Sequence, residues 1–246
     1  MQGAAAAGGA AQAPEFLKAA AFTASYYTDK ALRFGATPLG ADWSCVMTQQ
    51  MRFVQLLRVC DVDEPFSLND LGCGYGALLD FLDARRPCRD VRYSGVDLSA
   101  EMVRLARLRH PSRAGCFRRG GRPFRPADYS VASGIFNVRP GQPVSAWETV
   151  VGQTLRHLAG ASRRGFAVNF LAPLPTPLPT PLPTAGPGRA QLYMAEPERW
   201  AGFCRSCLGA EVEPVSGYGL AEFTLLVRPR RHRPASSAWA PSSSGR

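Results

Sequence analysis

The sequence predicts an α/β fold in which helices cover a central sheet of mostly parallel strands. Residues 66–71 form a short apolar run typical of a buried strand, and a helical pattern resumes at Ala77 after three glycines. Further strand-like and helix-like stretches alternate along the rest of the chain, as is typical of a parallel sheet. The 246 residues are 46% hydrophobic, which is enough for the core of one such domain.

Both ends of the chain have compositions typical of disorder. Residues 1–14 are rich in alanine and glycine, whereas residues 229–246 are basic and then rich in serine and proline. The formal net charge is +10, and five arginines at the C-terminal end account for half of it. From this charge we expect no more than a weak, non-specific contact of the tail with polyanions.

A helical arm is expected between the first tail and the strand at residue 66. Residues 15–62 contain two helical patterns, 15–31 and 45–60, which a loop containing glycine and proline separates. The apolar residues of the second pattern lie on one face, so we expect this helix to pack on the core.

The stretch after the first strand favours one kind of nucleotide ligand. Asp70 ends the strand, and glycines follow at positions 72, 74 and 76. Glycine lets a backbone take positive φ and lets a ligand approach closely. Gly72, Gly74 and Ala77 also satisfy the loose pattern of dinucleotide-binding loops, but the Asp70 carboxylate would repel a pyrophosphate. S-adenosylmethionine carries an ammonium and a sulfonium and no phosphate, so Asp70 favours this cofactor over a nicotinamide dinucleotide.

A second acid lies where a ribose would be bound. The alternation in 91–97 predicts a second strand that ends at Asp97. A carboxylate there can accept hydrogen bonds from both vicinal ribose hydroxyls. Ser99 is expected to cap a helix at 100–109, which would place Met102 near an adenine face. A helix-capping role for Asp97 is the alternative.

Three strings in the chain resemble class I S-adenosylmethionine-dependent methyltransferases. Residues 70–76 read DLGCGYG, the D-x-G-x-G-x-G signature of that class. Residues 34–43 (FGATPLGADW) and 132–138 (ASGIFNV) resemble a group of its bacterial members. The resemblance covers residues 22–228 apart from an insertion at 172–188. It implies a Rossmann-like fold, with a seven-stranded, mostly parallel sheet, a C-terminal antiparallel hairpin and an N-terminal helical arm that serves as a lid.

The remaining segments can be assigned to this fold in order. The methyltransferase domain would span residues 63–228, and its insertion repeats P-L-P-T three times, which excludes helix and sheet ladders there. The further predicted strands are 114–118, 129–133, 164–171, 211–215 and 221–227, and the further predicted helices are 77–86, 144–158 and one that ends near Leu208.

The third strand departs from the pattern of the class. Many class I enzymes place an acid after this strand to hold the adenine amino group. Arg118, Arg119 and Arg122 occupy the region here, and no acid follows before Asp128. We therefore expect backbone groups to hold the adenine, and we expect the arginines to be solvated.

The resemblance also implies a set of site residues. The methionine end would lie against the glycine loop, the ribose against Asp97, the adenine on Met102 and the methyl group beside 133–135. The predicted cofactor-binding residues are Asp70, Gly72, Cys73, Gly74, Gly76, Asp97, Leu98, Met102, Ser133, Gly134 and Ile135.

The arm is expected to shape the substrate pocket, since it often covers the cofactor in such enzymes. The predicted substrate-binding residues are Tyr26, Tyr27, Trp43 and Asn137, with Arg52 as a further lid candidate. Core packing of the aromatic residues and a turn role for Asn137 are the alternatives.

The implied reaction is in-line methyl transfer to an unidentified nucleophile, and a small molecule is favoured. The alternatives are a methyltransferase acting on nucleic acid or protein, a non-catalytic S-adenosylmethionine-binding module, and a nicotinamide dehydrogenase. No general base stands out, since neither His110 nor His157 has an evident partner. Cys204 and Cys207 lack the further ligands of a zinc site, so we expect no metal.

The sequence also predicts the cellular compartment of the protein. No signal peptide and no run of about 18 apolar residues is recognisable, so we expect a soluble, cytoplasmic protein with no membrane partner. The oligomeric state is not predicted.

Overall fold

The computed structural model describes residues 13–85, 91–139, 141–173 and 191–230, with side chains from Phe16 onwards. The P-L-P-T repeats and most of both tails that the sequence analysis predicts to be irregular lie outside these ranges. No helix in the described ranges has the length and apolar character that crossing a membrane requires.

The described residues form a sheet of seven strands with six α-helices. The strands are β1 Phe66–Leu71, β2 Val91–Asp97, β3 Phe117–Arg119, β4 Ala127–Ala132, β5 Ser162–Leu171, β6 Ala210–Val215 and β7 Glu222–Pro229. The helices are α1 Ala13–Phe34, α2 Val46–Leu57, α3 Ala77–Arg85, α4 Ala100–Arg109, α5 Val144–Ala161 and α6 Pro197–Cys207, and short 3-10 helices form at Leu39–Ala41 and Pro111–Cys116.

The strand order is β3-β2-β1-β4-β5-β7-β6. Strands β1 to β5 run parallel, and β7 runs antiparallel to both of its neighbours. The predicted seven-stranded, mostly parallel sheet with a C-terminal antiparallel hairpin and an N-terminal helical arm is therefore confirmed. Strands β2 and β3 are added on one side of β1, and the chain then returns to add β4 on the other side. In an open parallel sheet, the carboxyl ends of the strands leave a crevice at the point where the order of strands reverses.

Apolar side chains cover both faces of the sheet. Leu71 and Ala132 belong to a core that includes residues of α5 and α6. Leu68 and Val131, which point to the opposite face, belong to a core that includes residues of α2, α3 and α4. All six residues of β1 are buried. This burial explains why the central strands read as apolar runs in the sequence.

The structure shifts some predicted boundaries. Strand β3 begins at Phe117 and not at Ala114, because the 3-10 helix at Pro111–Cys116 occupies the preceding residues. Pro111 has no N–H to extend α4, so the chain turns there before it can enter the sheet. Helix α1 begins at Ala13, inside the segment predicted to be a tail.

The connection between β3 and β4 contains no helix. Residues 120–126 cross directly, and beneath them lies a buried polar row on neighbouring strands, formed by Ser94, Asn69 and Ser130. The Asn69 amide donates a hydrogen bond to the carbonyl of Arg125 at 2.9 Å. The backbone of residues 120–126 therefore covers this part of the sheet face. In an ordinary crossover between parallel strands, a helix would cover it.

Candidate cofactor and substrate site

A cavity opens at the carboxyl ends of β1, β2 and β4. The space that it bounds measures about 880 Å³, and this figure includes space open to solvent. Helix α1 and the turn after it close one side, and α5 closes another. The wall consists of Phe16, Ala19, Ala20, Thr23, Tyr27, Ala41, Trp43, Leu71, Gly72, Gly74, Asp97, Leu98, Met102, Gly120, Gly121, Ser133, Gly134, Ile135, Phe136, Trp147, Val150 and Thr154.

Most of the residues predicted from the sequence meet in this wall. They come from the ends of three strands and from the arm, and they are Gly72, Gly74, Asp97, Leu98, Met102, Ser133, Gly134, Ile135, Tyr27 and Trp43. Five other predicted residues do not line the cavity, namely Asp70, Cys73, Gly76, Tyr26 and Asn137.

The glycine loop fits tightly against the segment after β4. Gly72 has a φ of 78°, and a Cβ built on it would lie 2.3 Å from Cγ2 of Ile135. Any larger residue would therefore be strained and would also collide with the neighbouring wall. Gly74 is at a φ of 53°, and a Cβ there would point to Sδ of Met102 at 3.9 Å. Gly74 therefore leaves space that a ligand can occupy, whereas Gly72 lets the loop pack closely against Ile135.

Asp97 orders the loops on either side of its strand. Its Oδ2 accepts a hydrogen bond from the Gly74 backbone N–H at 2.9 Å, and Oδ1 accepts one from the Ser99 N–H at 2.8 Å. Ser99 caps α4 as predicted, since its hydroxyl accepts from the Met102 N–H at 3.2 Å. Burial raises the pKa of Asp97 to about 6, against the lowering effect of these N–H groups. Asp97 therefore brings a carboxylate to the cavity wall at neutral pH.

Asp70 lies behind the loop, outside the cavity wall. It is 4% exposed, and its Oδ2 accepts a hydrogen bond from the Tyr93 hydroxyl at 2.6 Å. Burial raises the pKa of Asp70 to about 7, the hydrogen bond from Tyr93 opposes this shift, and the nearby Asp97 adds to it. The wall therefore has a second, partly protonated carboxyl group close behind it.

Cys73 and Gly76 shape the loop from within. Cys73 is buried in the core beneath the loop. The Gly76 carbonyl accepts a hydrogen bond from Nε2 of His110 at 3.1 Å, and this nitrogen lies 3.4 Å from Oδ1 of Asp80. His110 therefore has partners that its sequence neighbourhood does not reveal.

The arm is held to itself and to α4 by polar contacts. The Tyr26 hydroxyl and Lys30 Nζ donate to the two oxygens of Asp42 at 2.8 and 2.6 Å. The hydroxyls of Thr28 and Ser99 share a hydrogen bond of 2.7 Å. Tyr26 thus braces the turn that carries Trp43, which is the packing role given above as the alternative to substrate binding.

Trp43 closes the cavity over the segment after β4. A Cβ built on Gly134 would lie 2.2 Å from Cη2 of the indole, and Gly134 has a φ of 68°. On its other side the indole packs on Arg52, whose guanidinium carbon lies 4.0 Å from the ring centre. The indole is thus fixed between a glycine and a buried cation.

Arg52 begins a chain of buried hydrogen bonds that ends at Gly134. Its Nε donates to both oxygens of Glu222 at 3.0 and 2.9 Å, and its Nη2 also donates to Oε1. The Asn169 amide donates to Oε2 of Glu222 at 2.8 Å, and Oδ1 of Asn169 accepts from the Gly134 N–H at 2.7 Å. Arg52 also donates to the Thr48 carbonyl at 2.8 Å. These hydrogen bonds link α2, β7, β5 and the cavity wall.

Two side chains after β4 are not fully paired. The Ser133 hydroxyl, in the wall, and Oδ1 of Asn137 are both buried without a hydrogen-bond partner among the described residues. The Asn137 backbone N–H donates to the Gly134 carbonyl at 3.2 Å, and its carbonyl accepts from the Tyr193 N–H at 2.9 Å. Asn137 thus also has the turn role considered from the sequence.

Several residues of the site are not predicted from the sequence. Glu222 opens the apolar strand EFTLLV, and Asn169 interrupts the apolar run AVNFL, so a polar residue in a buried strand was the available signal. For the wall contributed by α1 the only signal was the small residues in KAAAFTA, which allow close approach. The positions of Trp147, Val150 and Thr154 on α5 gave no signal that separates them from core residues.

We expect the buried ion pair to be sensitive to the loss of one partner. Arg52→Met or Glu222→Leu alone should lower the free energy of unfolding by about 3–5 kcal/mol, because each leaves an uncompensated buried charge. The double variant should recover most of this loss. Urea denaturation measures the effect. The control is Arg58→Met, whose exposed pair with Glu213 should contribute at most about 1 kcal/mol; equal losses at the two arginines would contradict the network.

We also expect Asp70 to make stability depend on pH. Its folded pKa, about 7, is above the ordinary value of about 3.9. The stability that the protonated form contributes is therefore present below about pH 4 and is lost as the pH rises through 7. Asp70→Asn has no charge to bury, so its stability relative to the wild type should rise over this interval. Denaturant titrations at pH 4.5, 6 and 7.5 test this, and a constant difference would refute it.

Relatives were found by sequence and by structure. The chain is 46% identical over 173 residues to Rv1506c of Mycobacterium tuberculosis, which is provisionally named a methyltransferase; the match covers 70% of this chain and 98% of that protein. No family model matches the chain.

Solved structures share the fold. The DhpI–SAH complex aligns with a TM-score of 0.51 and 17% identity, over 85% of this chain and 96% of that one. A chain from the complex of the Haloferax volcanii Trm112 methyltransferase activator with a methyltransferase aligns with a TM-score of 0.52 and 15% identity, over 86% and 97%. The sequence relative shows that this chain belongs to the methyltransferases, and the solved structures show that it has the Rossmann-like class I methyltransferase fold.

Proposed function

We propose that the protein transfers the methyl group of S-adenosylmethionine to a small-molecule nucleophile. The observation that carries the proposal is the convergence of the glycine loop, Asp97 and the Ser133–Ile135 segment on one cavity. These three segments belong to separate strands, and the sheet order brings their carboxyl ends together.

The residues in the wall fit the cofactor. The methionine end would lie at Gly72 and Gly74, which both line the cavity, and the missing side chain at Gly74 leaves room for the ligand. The ribose hydroxyls would donate to Asp97, and Leu98 and Met102 offer apolar contacts beyond it. The unpaired Ser133 hydroxyl is a hydrogen-bonding group for the end of the ligand that faces β4. Cys73 and Gly76 would act by shaping the loop.

The charges near the loop favour a cationic ligand. Asp97 lies in the wall and Asp70 lies behind it. Burial raises the pKa of both carboxyl groups, and the charge of Asp97 adds to the shift at Asp70. An ammonium and a sulfonium reduce the cost of ionising these groups, whereas the pyrophosphate of a nicotinamide dinucleotide would increase it. Asp70 would therefore act through its charge and not through contact.

The arm suits a small acceptor. Helix α1 and Trp43 cover part of the cavity, and this cover supports a small acceptor over a polymer that would need an open groove. Tyr27 and Trp43 remain our candidates for acceptor contact, because both line this space. We assign Tyr26 to bracing the arm and Asn137 to the turn after β4.

Among the described residues, the wall offers no general base other than Asp97, which the proposal assigns to the ribose. Asp97 and Tyr27 are the titratable residues of the wall, and burial raises the pKa of the Tyr27 hydroxyl far above neutrality, with the charges of Asp42 and Asp97 adding to the shift. The cofactor supplies an activated methyl group, so the chain contributes orientation and exclusion of water.

We expect Asp97→Asn to weaken S-adenosylhomocysteine binding by about tenfold or more, because one acceptor and a charge are lost. Isothermal titration calorimetry measures the affinity, with the exposed Glu213→Gln as the control. Unchanged affinity would refute the role of Asp97. Binding of NADH without binding of S-adenosylmethionine would refute the cofactor itself.

The acceptor class can be tested with methyl-labelled S-adenosylmethionine and cell lysate separated by size. We expect label in the small-molecule fraction, because the arm encloses the cavity. Label confined to protein or nucleic acid would favour the macromolecular alternative. Binding of the cofactor with no label in any fraction would favour a non-catalytic module.

A further inference from the structure

The adenine base of the proposed cofactor would lie beyond the ends of the central strands β1 and β2. The sheet order places β1, β2 and β3 side by side, so a ligand that extends from Gly72 past Asp97 reaches the end of β3. The chain there reads Gly120–Gly121, and residues 120–126 contain no carboxylate. The Gly120 N–H is already bonded to the Asp97 carbonyl at 2.9 Å.

The first turns of helix α1 pack beside this connection between β3 and β4. A Cβ built on Gly121 would lie 3.7 Å from Cζ of Phe16 and 3.2 Å from Cδ2 of Leu98. Ala19 is 1% exposed and belongs to the core that includes Trp147 and other residues of α5. The first turns of α1 are therefore docked into the domain between the β3 connection and α5.

The face of α1 toward the cavity is chemically suited to a flat base. Phe16 presents an aromatic ring beside Gly121 and Leu98, and Ala20, one turn further on, leaves room next to it. Thr23 follows on the same face and also lines the cavity, and it brings a hydroxyl that can donate and accept. Aromatic stacking of this kind holds a nucleobase without a charged partner.

We propose that Phe16, Ala20 and Thr23 of α1 form the adenine-binding wall of the site, in place of a carboxylate after β3. The assignment rests on the proposed cofactor. It gives the arm a direct role in ligand binding, beyond that of a cover. The hydrogen bond between Thr28 and Ser99 and the bonds to Asp42 then act as positioning contacts, since they fix α1 over the end of β2.

The test places a tryptophan at each of two neighbouring positions of α1 in the full-length protein. Ala20→Trp places an indole in space that is empty in the free protein, so the fold should be retained while the base is excluded. Ala21→Trp is the matched control, because Ala21 is exposed and does not line the cavity. By calorimetry we expect Ala20→Trp to weaken S-adenosylhomocysteine binding at least 100-fold and Ala21→Trp to change it less than threefold.

A second pair of variants tests the aromatic ring. Phe16→Ala should weaken binding about tenfold through lost stacking, whereas Phe22→Ala, 42% exposed on the same helix, should leave it unchanged. Thermal unfolding of each free variant checks that the fold is intact. Wild-type affinity in Ala20→Trp or Phe16→Ala would overturn the assignment of α1 and leave the proposed function standing. Absence of binding by the wild-type protein would overturn the proposed function.

Discussion

The buried ion pair between Arg52 and Glu222 is the interaction on which the site depends most. Two charges withdrawn from water carry a large desolvation cost, which only close geometry and further hydrogen bonds can offset. Both conditions are met here, since Arg52 donates through several N–H groups and Glu222 also accepts from Asn169. Because Asn169 in turn accepts from the Gly134 N–H, the pair fixes the arm and the cavity wall to the same strands.

This arrangement makes the arm part of the domain. Trp43 lies between the Arg52 guanidinium and Gly134, so its position follows from the ion pair on one side and from the backbone after β4 on the other. Tyr26 and Lys30 join α1 to the same turn through Asp42. A change at Arg52 therefore affects the wall of the cavity as well as the stability of the fold.

The sequence predicts those parts of the molecule whose cause is local. The glycines at 72 and 74 encode a turn, and Asp97 ends a strand, so the cofactor end can be read without knowledge of distant partners. The role of Glu222 depends on its contact with Arg52, which is 170 residues away in the chain. The role of Phe16 depends in the same way on its position beside Gly121. A polar residue in an apolar strand can mark such a position in the sequence, but its partner is set by tertiary packing and cannot be identified from the sequence.

The two acids near the loop link charge to ligand choice. Burial raises the pKa of both Asp70 and Asp97, which means that the free protein pays to ionise them near neutral pH. A ligand that places positive charge at the glycine loop, near both acids, reduces this penalty, and by linkage it lowers the pKa of both groups as it binds. Ligands with phosphate in the same place would raise the penalty. The burial of the two acids therefore supports the proposal of a cationic cofactor over one that carries phosphate.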